Sequence, residues 1–76
     1  MEKQLIKQAQ STIELEKIIE QAAAGRNCEL DNSMPYAEQA EFLREEAGKG
    51  GNGADKMIEL AELLELAETK WFELEE

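Results

Sequence analysis

The sequence predicts an all-α domain, either a three-helix bundle or a long antiparallel hairpin with a shorter helix packed on it. Three observations carry this. Glu, Ala, Leu, Lys and Gln dominate, and these lose little side-chain freedom on a helix; valine is absent and threonine occurs only at Thr12 and Thr69. Apolar residues recur at spacings of three and four through most of the chain. Two stretches of turn formers, 25–33 and 48–53, divide it into three periodic segments, and linkers this short make neighbouring helices antiparallel. The five isoleucines are all set among helix formers, so no strand is expected.

The first segment reads as a helix over 2–24. Its seam is Leu5, Ala9, Thr12, Leu15, Ile19 and Ala22, with Ile6, Ile13 and Ile18 flanking it. Gly25, after three alanines, is a natural stop, since glycine takes the left-handed conformation cheaply. Ser11 and Glu14 form a capping-box pattern, S-T-I-E, and the apolar face drifts between the two halves. A break or kink near Gln10–Ser11 is therefore an open alternative to one continuous helix.

The second helix is predicted over 35–47. Asn32 or Ser33 is the candidate cap, and Pro35 in the first turn loses no hydrogen bond by lacking an N–H. Its inward stripe is Tyr36, Ala40, Leu43 and Ala47, with Ala37 beside it. The third helix, 54–75, is capped by Asp55 or Asn52. Met57, Leu60, Leu64, Ala67, Trp71 and Leu74 alternate spacings of three and four, a heptad seam. Trp71 and Tyr36 are assigned to the core.

Charge narrows the function. The net charge of −10 is confined to residues 28–76, because residues 1–27 hold four bases and four acids. Direct binding to nucleic acid or to an anionic membrane rewards Lys and Arg and is disfavoured. A partner protein with a basic surface fits better, since opposite fields steer encounter. One cysteine, Cys28, and no histidine leave neither an internal disulfide nor a zinc site. The segment MEKQLIKQAQ lacks the apolar core of a signal peptide, no stretch is long enough to span a bilayer, and a cytoplasmic setting is expected.

The chemical motifs are weak. G-K-G-G-N-G, residues 48–53, matches G-x-G-x-x-G, yet helical sequence precedes it and no βαβ unit can be built around it. Helical di-metal sites use Glu-x-x-His, and calcium loops need a glycine and a terminal bidentate Glu absent around Asp31-Asn32-Ser33. Neither a metal nor another cofactor is expected. A chain this short buries roughly 60 % of its unfolded surface, which argues against a deep substrate pocket and an enzyme.

The tail KMIELAELLELAETKWFELEE resembles the end of the coiled-coil C-terminal domain of some ABC-F ATPases, where a basic residue, a Trp and a Glu-Leu pair close a helix. That domain is a plain hairpin of basic character. This chain has a glycine loop, a further helix and strong acidity, so the resemblance implies no function for it.

The remaining signal is a set of residues off the seams. Phe42 points away from its helix's stripe, among Glu38, Glu41 and Glu45, and Ile58, Leu66 and Phe72 fall outside the third helix's seam. Carboxylates three and four apart lie about 5–6 Å from one another, comparable to phosphate spacing along a nucleic-acid strand. Rows drawn from Glu38, Glu41, Glu45, Glu59, Glu62, Glu65, Glu73 and Glu76 would imitate such a strand. The expected function is thus a small non-enzymatic regulator or inhibitor, of the kind phages and mobile elements carry, acting on a basic nucleic-acid-handling protein. The partner-binding residues would be Glu38, Glu41, Phe42, Glu45, Glu59, Glu62, Leu66 and Phe72. The alternative is an adaptor that docks, or forms a homo-oligomer, through the apolar face of the third helix.

Overall fold

The computed structural model describes residues 2–31 and 33–75, and all regular structure among them is helical. Four helices follow in order: α1 Glu2–Gln8, α2 Thr12–Gly25, α3 Tyr36–Gly48 and α4 Ala54–Glu75. At 1.5 Å per residue α4 is about 33 Å long, close to the 38 Å long axis of the molecule. It serves as the hub: α1, α2 and α3 all pack on α4, whereas α2 and α3 do not pack on each other.

The predicted first helix is two helices. Ser11 adopts an extended conformation and caps α2, its Oγ accepting from the Glu14 N–H at 3.1 Å. The Glu14 carboxylate reaches back to the Gln10 N–H at 3.1 Å. These local bonds compete successfully with one more turn of α-helix. The break lets α1 fold back, so that Glu2 meets Arg26 at the far end of α2. It also resets the register: Ile6 is fully buried and Leu5 is 50 % exposed, the reverse of the predicted seam.

Helix α2 runs one residue past its predicted end, and its left-handed turn comes two residues after the glycine. Gly25 stays helical, and Asn27 takes the left-handed conformation at φ +54°. The Cys28 N–H then bonds the Ala23 carbonyl and the Asn27 N–H the Ala24 carbonyl, a Schellman pairing. At the end of α3 the same left-handed role falls to Gly50, φ +78°.

Helices α3 and α4 form an antiparallel hairpin, registered by Arg44–Glu65, Ala37–Glu68 and Tyr36–Trp71. Pro35 stands at the N-cap of α3 and has no capping side chain. Glu68 of α4 supplies the missing acceptor, taking the Ala37 N–H at 3.2 Å. Ser33, a predicted cap, is held by Asp31 instead, and the other predicted cap, Asn32, lies outside the described residues. The core joins Ile6, Leu15 and Ile19 to Ala40 and Leu43 through Leu60, Leu64 and Ala67 of the hub. Tyr36 and Trp71, assigned to the core from sequence, are half-buried at its edge.

Candidate functional site

The acids fall into two groups according to whether a cation meets them. On α4, Glu59 bonds Arg26 at 3.2 Å, Glu62 lies 3.9 Å from Lys3, Glu65 bonds Arg44 at 2.7 Å and Glu73 lies 3.8 Å from Lys70. Glu59, Glu62 and Glu65 thus face cations from the C-cap of α2, from α1 and from α3. Glu38, Glu41 and Glu45, on the outer face of α3, have no salt-bridge partner among the described residues. Glu76, a member of the expected acidic rows, lies outside the described residues.

The apolar candidates separate as well. Phe42 is 53 % exposed and borders a shallow cleft of about 280 Å³, walled by Leu30, Met34 and Leu43 and flanked by Glu29 and Asp31. Phe72 is 61 % exposed at the C-terminal end of α4, and Leu66 is half-buried against the core. The eight predicted residues therefore form no single patch. Glu38, Glu41, Phe42 and Glu45 stay together on α3, while Glu59 and Glu62 face α1 and α2.

A second concavity is one the sequence did not indicate. Because α2 and α3 sit apart on α4, an open groove of about 590 Å³ lies between them. Trp71 and Phe72 of α4 line it together with Tyr36 and Gln39 of α3. Ile19 enters from α2, and Leu30 and Met34 from the connecting loop. The Tyr36 and Trp71 rings meet edge to face, with centroids 5.7 Å apart and planes at 86°. Glu16 and Glu20, one turn apart on α2, and Glu68 on α4 bring three carboxylates to this largely apolar lining. Leu30, Met34 and Gln39 are shared with the Phe42 cleft, so the two concavities adjoin.

Gln39 is the polar exception inside. It is only 4 % exposed; its Nε2 donates to the Met34 carbonyl at 2.6 Å and pins the loop against α3. Its Oε1 is buried with no hydrogen-bond partner. A buried acceptor left without a donor is costly and uncommon in folded proteins.

Tyr36 registers the field of the groove. Burial first, and then the negative charges of Glu16, Glu20 and Glu68, pushes its phenol up to about 12. The unfolded chain releases that proton near its ordinary value, 10.0. The folded state therefore binds the proton more tightly, and the stability this adds is present below pH ~10 and lost as pH rises towards ~12. Denaturant midpoints measured across this alkaline range should fall less steeply in Tyr36→Phe than in the parent. As Tyr36 is the only tyrosine, tyrosinate absorbance reads its titration directly.

Among the described residues, no group of three or more Cys, Asp or Glu is placed to hold a metal ion, and no helix is long and apolar enough to cross a membrane. Cys28 is half-buried, its Sγ 3.6 Å from the Arg26 carbonyl oxygen. In comparisons with known proteins the chain matches no family model, no curated protein and no solved structure.

Proposed function

We propose that this is a non-enzymatic binding protein that takes a basic protein partner and regulates or inhibits it. The observation that carries the reading is the outer face of α3. There Glu38, Glu41 and Glu45 share the exposed face of the helix with Phe42, and none of the three makes a salt bridge among the described residues. The acids supply attraction and a fast encounter, and the aromatic ring supplies a desolvated anchor. Imitation of a nucleic-acid strand, directed at a nucleic-acid-handling protein, belongs to the same reading. It rests on α3 and the neighbouring Glu29 and Asp31, because Glu59, Glu62 and Glu65 of α4 already face cations. A cytoplasmic setting is part of the proposal, in keeping with one free thiol.

The adaptor reading has less support. Leu60, Ala61, Leu63, Leu64 and Ala67 of α4 are buried by its neighbours, leaving Ile58 and Phe72 as its exposed large apolar residues. These two lie about four turns apart, too far to make one compact patch.

The test is capture of a partner from nuclease-treated host lysate by the tagged protein and by its Glu38→Gln/Glu41→Gln/Glu45→Gln variant. Washing in about 0.1 M and then about 1 M salt shortens the Debye length from about 10 to about 3 Å. The expected result is a basic protein that the parent holds, high salt releases and the variant fails to retain. A partner that both proteins retain through the high-salt wash would overturn the reading.

A further inference from the structure

We propose that the groove between α2 and α3 is a binding site for an arginine side chain of the basic partner, its guanidinium held among Glu16, Glu20 and Glu68 above the Tyr36–Trp71 pair. The inference rests on the partner being basic, but it concerns a different surface from the outer face of α3.

Three observations converge on a cation that donates hydrogen bonds and carries an apolar stem. The rim charge is of one sign, comes from two separate helices, and has no cation among the residues that line the groove. Glu16 and Glu20 make no salt bridge elsewhere among the described residues. The interior is aromatic and aliphatic, and the negative face of an aromatic ring attracts a cation within about 6 Å of its centroid.

The carboxylates of Glu16, Glu20 and Glu68 select among cations. A quaternary ammonium has no N–H to offer them. A lysine ammonium is a compact, strongly hydrated point charge, and withdrawing it from water costs more. A guanidinium is planar, more weakly hydrated and has five N–H donors in a fixed fork. It can therefore satisfy carboxylates on two helices while its face lies on the aromatic rings. The volume of about 590 Å³ exceeds what one side chain fills. It leaves room for the apolar residues on either side of the arginine, against Leu30, Met34 and Phe72.

Trp71 is the only tryptophan in the chain, so its emission reports the groove directly. The probe is a blocked pentapeptide, Ala-Leu-Arg-Leu-Ala, titrated at low salt beside versions with lysine or citrulline in place of arginine. Citrulline keeps the shape of arginine and removes its charge. The expected result is a saturable change in Trp71 emission with the arginine peptide. Binding of the lysine peptide should be weaker by about threefold and that of the citrulline peptide by about tenfold. The exposed double change Glu16→Gln/Glu20→Gln should weaken the arginine peptide by about tenfold, while Glu38→Gln/Glu41→Gln/Glu45→Gln leaves it within about twofold. Absence of saturation up to about 10 mM peptide, where binding would be weaker than about −3 kcal/mol, overturns the proposal. So does a citrulline or lysine peptide that binds as well as the arginine one. The two readings fail separately. Loss of peptide binding with partner capture still dependent on α3 removes only the groove, and saturable peptide binding with capture indifferent to α3 removes only the outer face.

Discussion

Leu64→Ala is expected to lower the stability of the fold by about 2–5 kcal/mol, the cost of emptying a fully buried leucine site. Leu64 has no exposed surface and stands at the middle of α4, in the cluster that joins both helical pairs. Domains hold roughly 0.05–0.15 kcal/mol per residue, so about 4–11 kcal/mol is available here. The substitution therefore removes at least about a fifth of the total and should depress the melting temperature by about 8–40 °C. Because the hub carries contacts of every other helix, the loss should appear as one cooperative transition shifted to lower denaturant, with little change in its slope. Ile13→Ala is the matched control: Ile13 is 65 % exposed, and its truncation should shift stability by no more than about 0.5 kcal/mol. Far-UV circular dichroism against urea measures both. Equal effects at the two positions would mean that α4 is not the centre of the core.

What the sequence revealed follows from which forces are local. The α4 seam was legible because a repeated apolar spacing can bury only one way: Leu60, Leu64 and Ala67 are buried, and Met57, Trp71 and Leu74 pack at their edges. The α3 stripe of Ala40, Leu43 and Ala47 was legible for the same reason. The two halves of the first segment were less so. A continuous helix and a helix broken at Ser11 share nearly the same apolar residues, and the choice moves the buried position from Leu5 to Ile6. The end of α2 was misplaced because Asn27, not Gly25, takes the left-handed turn, which asparagine does at small cost.

The groove was not legible at all. It exists because α2 and α3 stand apart on α4, and no spacing within either helix encodes that separation. Glu16 and Glu20 were visible only as an i,i+4 acidic pair flanking Ile19. Similarly, the uneven charge was plain in composition, but the sorting of its acids was not. Glu59, Glu62 and Glu65 meet cations 21 or more positions away, and only packing brings those pairs together. The same packing leaves Glu38, Glu41 and Glu45 outside, which is why the α3 face, not the α4 row, carries the proposed function.

Arg26→Ala is the second large effect expected, a loss of about 2–3 kcal/mol. Arg26 follows α2 directly, and its side chain is only 15 % exposed. Its guanidinium makes two parallel bonds of 2.6 Å to the Glu2 carboxylate, a third group of contacts to Glu59 at 3.2 and 3.3 Å, and one to the Ala22 carbonyl at 3.1 Å. One side chain thereby fastens the start of α1 and the end of α2 to α4, and closes an orphan carbonyl of α2. An exposed pair would contribute at most about 1 kcal/mol, and Glu59 is of that kind; the bidentate, half-buried bond to Glu2 decides the magnitude. Arg26→Lys keeps the charge without the fork and should recover less than half of the loss. The acid limb of the stability curve provides an independent check. The bonds from Arg26 hold the Glu2 carboxyl below its ordinary value of 4.5, so the unfolded chain binds that proton more readily than the folded one. The stability this adds is present above pH ~4.5 and lost as pH falls through the lowered value. Arg26→Ala should therefore flatten the acid slope as well as lower the plateau. In a double-mutant cycle with Glu2→Gln, the two losses should be strongly non-additive. Additive losses would show that the clasp between α1 and α2 is not made.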